Sequence, residues 1–219
     1  MLKKLSVLIP VYNEKFTIKK CVERVLSADT RGLDLEVIIS DNNSNDGTKE
    51  ILEQIKDDRV KIFYRTTNDG KGANIKNALS HSSGDLILFQ DADLEYSPSD
   101  FKDLLQPFFL YQADVVYGSR LTRAKSTRIV GFPNYVANTI ITFLCNLFYN
   151  KIFTDIATGY KVFRKEVISN IEITTDGFEI EPEITAKICK NDKIKIFEVP
   201  ITIVSRGYEE GKKVRWWHF

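Results

Sequence analysis

Two carboxylates separated by one residue, Asp91 and Asp93 in Asp91-Ala92-Asp93, close the apolar run from Asp85 to Gln90. Carboxylates at that spacing can hold one hard divalent cation, directly or through water. Mg²⁺ and Mn²⁺ prefer oxygen ligands and commonly keep positions open for a substrate's phosphates. Glu95 is a candidate third ligand or a support for the first two. The alternative reading is a strand-end turn with incidental acids. A calcium loop does not fit: counting from Asp91, the sixth position is Tyr96 rather than Gly and the twelfth is Lys102 rather than Glu. The chain has no GxxxxGK[ST] phosphate loop, no dinucleotide spacing around Gly70-Lys71-Gly72 and no serine-nucleophile elbow. Two further acids, Glu14 and Asp41, follow other apolar runs and can accept hydrogen bonds from sugar hydroxyls or a base N–H. Glu14 can instead cap the helix that follows it.

The elements that position these groups alternate. Leu5 to Pro10, Leu35 to Ser40, Val60 to Arg65, Asp85 to Gln90 and the run from Asp114 are compact apolar stretches with strand character. Between them lie helical patterns, the clearest with Ile18, Cys21, Val22, Val25 and Leu26 on one face. Asp46 or Thr48 is placed to cap the second helix, and Ser97 and Pro98 to open the fourth. Strands separated by helices imply βαβ units and a mostly parallel sheet flanked by helices. Ligands of such sheets bind outside the carboxyl ends of the strands. The polar segments PVYNE, SDNNSNDG and QDADLE all fall there, so three loops are expected on one rim. The second half is less regular: a helix from Tyr135 to Tyr149, a helical stretch around Glu181-Pro182 and strand character from Lys193 to Arg206. With neither repeat nor linker, a single domain over 1–219 is expected.

The chain has 219 residues, 43% of them hydrophobic and 28% charged, which is ordinary for a folded domain with a real core. Its formal net charge of +1 argues against a generic nucleic-acid binder. Three scattered cysteines without a CxxC pair and two histidines exclude a disulfide framework and a Cys- or His-built zinc site, and fit a reducing, cytoplasmic compartment. The charge is uneven: from Val115 to Thr154 there is no acid, while Arg120, Arg123, Lys125, Arg128 and Lys151 are present. This block runs into an apolar, aromatic stretch, Ile129 to Tyr149, interrupted by Pro133, Asn134, Asn138, Thr139, Thr142 and Asn146. The interruptions argue against a bilayer span and for an amphipathic helix at a membrane surface, with a core helix as the alternative. Trp216, Trp217 and Phe219 beside Lys212, Lys213 and Arg215 suit an interfacial anchor or a patch on the core.

Taken together, VLIPVYNE, SDNNSNDGT, DGKGANIKNAL and FQDADLEYSP resemble glycosyltransferase family 2. VVYGSR, TDIATGYKVFRKEV, GFEIEPEITAKI and EVPITIVSRGYEEGKKVRW are similar to the polyprenyl-phosphate sugar synthases of the dolichol-phosphate mannose and glucose type. The resemblance covers nearly the whole chain. It implies a GT-A (Rossmann-like) fold, with residues 1–118 binding a UDP- or GDP-linked sugar and residues 119–219 facing acceptor and membrane. It further implies transfer of a hexose to a polyprenyl phosphate with inversion, at the cytoplasmic face of a membrane. A relative acting on a glycan hydroxyl is the alternative. By the same resemblance Pro10, Tyr12, Glu14, Ile39 and Asp41 hold base and ribose, and Ala92 lines the nucleotide. Asp91 and Asp93, with Glu95 nearby, take Mg²⁺ or Mn²⁺ on the diphosphate. Arg120, Arg206 and Lys212 face donor and acceptor phosphates. Asn134 stands near where some members carry a further arginine, and Arg123 or Arg128 are its candidate substitutes. Asp155, Glu179 and Glu181 are candidate bases for a hydroxyl acceptor, or structural caps and pairs.

Overall fold

The computed structural model of the chain describes residues 2–122 and 132–204. Seven strands form one sheet: β1 (Lys4–Val11), β2 (Asp34–Asp41), β3 (Val60–Tyr64), β4 (Leu86–Phe89), β5 (Val115–Ser119), β6 (Lys161–Arg164) and β7 (Ile196–Pro200). Their spatial order is β3-β2-β1-β4-β6-β5-β7. All neighbours run parallel except β6, which is antiparallel to both β4 and β5. Both halves of the chain therefore contribute to one sheet. From β1 the chain moves outward to β2 and β3, then returns to place β4 on the other side. The crevice between β1 and β4 is thus the switch point where ligands of open α/β sheets bind.

The apolar runs are continuous because helices cover both faces. On one face Leu5, Val7, Ile9, Val37, Ile39, Leu86, Leu88, Val116 and Val162 pack against α1 (Ile18–Leu26) and α4 (Phe101–Leu110). On the other, Leu8, Ile38, Ile87, Phe89, Val115, Tyr117 and Phe163 pack against α3 (Lys71–Ser80), α6 (Lys165–Ser169) and α7 (Ile180–Cys189). The alternation is that of a strand's period of two. In α1 the buried residues Ile18, Cys21, Val22 and Val25 recur at helical spacing. The short α2 (Thr48–Leu52) opens where Asp46 accepts the Thr48 N–H at 3.0 Å, as its position suggested. Ser97 accepts the Ser99 N–H at the 3₁₀ turn, Pro98–Asp100, that leads into α4.

The stretch after Gly70 is helix from its first residue, Lys71. The helix expected from Tyr135 is α5 (Phe132–Tyr149), because Pro133 sits in its first turn, where a missing N–H costs nothing. Among the described residues no helix is long and apolar enough to cross a membrane. The amphipathicity of α5 is inverted. Its buried stripe is Asn138, Thr142 and Cys145, whereas Phe132, Phe143, Leu147 and Phe148 are exposed, Phe148 by 76%. The Oδ1 of Asn134 in the first turn is buried without a hydrogen-bond partner, but the other inward polar groups are satisfied. Asn138 donates to Asp155 at 2.9 Å, and Asn146 both donates to and accepts from the Phe153 backbone at 2.8 Å.

Candidate active site

The loops after β1 and β2 are stitched together on the rim. Asn13 and Asn45 exchange amide hydrogen bonds, the Asn13 N–H donates to Ser44, and the Glu14 N–H donates to Thr48 at 2.8 Å. Asn13 adopts a left-handed conformation (φ 53°) that an asparagine tolerates. The Glu14 carbonyl accepts from Thr17 and Ile18 at the start of α1, and its carboxylate accepts from the Thr17 hydroxyl at 2.6 Å. The helix itself is capped at Thr17 without a side-chain hydrogen bond, so the Glu14 carboxylate steadies Thr17 rather than a free helix N–H. Asp41, buried at the end of β2, accepts from the N–H and hydroxyl of Ser44. Pro10 pairs with Ser40 at the same level, and Tyr12 begins the loop beyond β1. Ile39 and Ala92 have buried side chains within the core, so what they offer a ligand is backbone.

A third loop joins this rim from β4. The Asp93 carboxylate accepts the Glu95 N–H at 3.0 Å, and Leu94 between them is forced to φ 64°, a conformation costly for a branched side chain. The Cys21 thiol of α1 donates to the Asp91 carbonyl at 3.7 Å. Burial, then the negative charge of Asp93, Asp91 and Glu14, pushes that thiol far above its ordinary range. The Cys21–Asp91 contact ties α1, which follows the loop after β1, to the tip of β4.

Asp91 is held from two sides. Its Oδ1 lies 2.8 Å from Lys71 Nζ. Its Oδ2 rests against Gly159, where a Cβ would collide with it and stand 3.1 Å from the Tyr96 ring. Tyr96 accepts the Gly159 N–H at 2.8 Å, and burial pushes its hydroxyl up to about 12. Lys71 is also 3.1 Å from Glu181 Oε1, and the other Glu181 oxygen pairs with the fully buried Lys161. Lys161 in turn lies over the Tyr117 ring, 5.1 Å from its centroid. Burial works against the Lys71 charge, but Asp91 and Glu181 outweigh it and raise its pKa. Burial likewise opposes the Glu181 charge, and its two lysines lower its pKa below the ordinary value.

Lys71 stands between Gly70 and Gly72 because the segment 175–177 crosses there. The N–H groups of Gly72 and Ala73 donate to the Gly177 and Asp176 carbonyls, and a Cβ on either glycine would strike that backbone. Gly70 also has φ 108°, a conformation that glycine alone adopts without strain. The sequence excluded a dinucleotide fingerprint here and did not point to this approach of two backbones.

Arg120 closes the far end. It grips Asp155 with Nε and a terminal nitrogen at 2.6 and 2.7 Å, and its own N–H donates to the same carboxylate at 3.1 Å. Burial alone pushes the Asp155 carboxyl upward, but Arg120 outweighs it and holds it below the usual range. Two of the three candidate bases, Asp155 and Glu181, are thus buried in ion pairs, while Glu179 is exposed. Asn134 lies in the first turn of α5. An isolated bridge joins Tyr96 to Ile203, and the Val204 N–H donates to the Glu95 carbonyl at 2.9 Å. Arg206, Lys212, Arg123 and Arg128 lie outside the described residues, as do the tail aromatics.

Residues 6–172 match the family model described as "Glycosyl transferase family 2". The chain belongs to that family. It is 28% identical over 212 residues to a dolichol-phosphate mannosyltransferase of Pyrococcus furiosus, covering 95% of this chain and 59% of that protein. It is 30% identical over 202 residues to glycosyltransferase AglJ of Haloferax volcanii, covering 91% of this chain and 63% of the other. The chain thus spans roughly three-fifths of the length of these relatives. Among solved structures it resembles glucosyl-3-phosphoglycerate synthase of Mycobacterium tuberculosis in complex with Mn²⁺, UDP and phosphoglyceric acid. The TM-score is 0.71 at 18% identity, covering 95% of this chain and 73% of that one. The complex of the same enzyme with Mg²⁺ and UDP matches with a TM-score of 0.70 at 20% identity, covering 95% and 74%. This family 2 chain therefore has a GT-A-like fold.

Proposed function

We propose that this family 2 chain transfers a hexose from a UDP- or GDP-sugar to a polyprenyl phosphate, with inversion, at the cytoplasmic surface of a membrane. The observation that carries the lipid acceptor is the inverted α5. Its aromatic and aliphatic side chains face outward, and it directly follows in sequence the acid-free basic segment of Arg120, Arg123, Lys125 and Arg128.

The donor belongs at the β1/β4 switch point. Pro10, Tyr12, Glu14 and Asp41 lie on its base and ribose side, with backbone from Ile39 and Ala92. Beside it, at the ends of β1 and β2 and the start of α3, Asn42 Oδ1, Asn74 Oδ1 and Arg65 Nε are buried without hydrogen-bond partners. Such groups are candidates to meet a polar ligand. The residues at the tip of β4 fit Mg²⁺ or Mn²⁺ by their oxygen chemistry: Asp93, with Asp91 and Glu95 beside it. Among the described residues no three Asp, Glu, His or Cys side chains are grouped so as to hold a metal ion, so Asp91, Asp93 and Glu95 do not converge as a ready three-ligand set. Mg²⁺ commonly takes one or two carboxylates together with phosphate oxygens and water. When bound, such an ion neutralises charge on the departing diphosphate.

In the reaction an acceptor phosphate oxygen bonds to the anomeric carbon while the bond from that carbon to the β-phosphate oxygen breaks. Arg120 brings fixed positive charge to the acceptor side, its orientation set by Asp155. The Val204–Glu95 hydrogen bond ties the chain, two residues before Arg206 in sequence, to the acidic loop. That supports a phosphate-covering role for Arg206 and Lys212. A phosphate monoester is mostly dianionic at neutral pH and needs no base. This agrees with Asp155 and Glu181 being committed to ion pairs. A glycan hydroxyl acceptor would leave Glu179 as the exposed candidate base.

Radiolabelled UDP- and GDP-hexoses incubated with the protein, Mn²⁺ and polyprenyl phosphate in vesicles test the reading. Label in the organic phase supports it. Label only in a water-soluble glycan, or none, contradicts it.

A further inference from the structure

Asp91, Lys71, Glu181 and Lys161 form a chain of alternating charge that runs from the tip of β4 into the interior. Lys161 is fully buried and pairs with one Glu181 oxygen, so Glu181 is anchored from below. Lys71 sits between two carboxylates, 2.8 Å from Asp91 and 3.1 Å from Glu181, with its side chain 15% exposed. Glu181 Oε1, the oxygen nearer Lys71, is buried and makes no hydrogen bond of good geometry. The ammonium therefore lies between two carboxylates at similar distances, and the Glu181 oxygen facing it has no other polar partner. The backbone that carries Lys71 cannot follow a moving side chain, because Gly70 and Gly72 are pressed against 175–177.

We propose that Lys71 is a resident counter-ion of the acidic pair, displaced from Asp91 toward Glu181 when a divalent cation enters. It is a positioning residue, and the inference rests on the reading of Asp91 and Asp93 as the metal side of a donor site. Without metal, Lys71 balances the Asp91 charge and holds its rotamer against Gly159. An arriving cation meets an ammonium already paired to that carboxylate, and repulsion between the two must be relieved. Glu181 supplies the resting place, and Lys161 keeps Glu181 from needing a second full partner.

Effects of opposite sign follow. Lys71→Met keeps the bulk of the stem and removes the competing charge. Glu181→Gln keeps the shape and removes the resting place, so Lys71 holds Asp91 more firmly. The probe is MnCl₂ without donor, with free Mn²⁺ read from its paramagnetic resonance signal and folding checked by circular dichroism and melting. Lys71→Met is expected to bind Mn²⁺ at least about threefold more tightly than wild type, since nearby like charges repel strongly at a partly buried site. Lys71→Arg retains the wild-type affinity within about twofold because the charge is kept. Glu181→Gln, if folded, binds more weakly, and the Lys71→Met/Glu181→Gln double variant follows Lys71→Met. A strut that merely supports Asp91 would weaken binding in Lys71→Met. Weaker or unchanged binding in Lys71→Met beside a wild type that binds Mn²⁺ overturns this inference alone. No Mn²⁺ binding by any of the proteins, even with UDP or GDP added, overturns it together with the metal reading.

Discussion

Asp91 is the residue on which the geometry converges, because Lys71 and Gly159 fix its two oxygens independently. Gly159→Ala places a methyl group where that carboxylate and the Tyr96 ring meet. It should cost about 1–3 kcal/mol of stability, as overpacking does, and reduce turnover by more than tenfold, on the order of the loss expected when a carboxylate near the reacting groups is misplaced. Thermal melts and initial rates check both. Asp155 offers a test by pH. Its folded-state pKa is depressed by Arg120 against the effect of burial. Its contribution is therefore fully present above the unfolded value of about 3.9 and lost as pH falls through the lower folded value. Denaturant titrations from pH 6 to pH 2 should show stability falling below about pH 4, and Asp155→Asn should flatten that part of the slope. At pH 7 the same variant should cost about 3 kcal/mol, because it leaves Arg120 without its counter-charge.

At the scale of elements, the strands and their rim loops were legible because both determinants are local. Leu5 to Pro10 and Leu35 to Ser40 are apolar without interruption, and the polar loops follow each at once. The antiparallel β6 was not legible. Lys161 and Arg164 give that short stretch no apolar continuity, and a lysine there is explained by partners distant in sequence, the buried Glu181 and the Tyr117 ring. The stripe of α5 was foreseen as amphipathic, but its direction was not. Asn138 and Thr142 face inward because Asp155 and the backbone of Ile156 offer partners distant in sequence. The outward face carries a prediction of its own. Phe143→Ser with Leu147→Ser should leave the melting temperature within about 2 °C, since exposed positions contribute little. The pair should sharply reduce co-sedimentation with anionic vesicles. Unaltered vesicle binding would remove α5 from the membrane contact.

For the molecule as a whole, the sheet order makes one crevice the meeting point of loops that lie about 30 to 50 residues apart in sequence. The acidic pair, the fold class and the rim were readable from residue types and spacing. The Lys71–Glu181 bridge was not, since it joins helices more than a hundred residues apart. Arg206→Ala is expected to lose far more in rate than in donor affinity, measured by single-turnover kinetics beside calorimetric binding of the nucleotide. The most direct test of the central claim is anomalous diffraction at the manganese edge from crystals of the wild-type protein grown with MnCl₂ and a nucleoside diphosphate. A peak bridging the Asp93 carboxylate and the diphosphate, above the carboxyl end of β4, is the predicted result. A peak elsewhere, or nucleotide bound with the acidic pair facing away from it, would contradict the account.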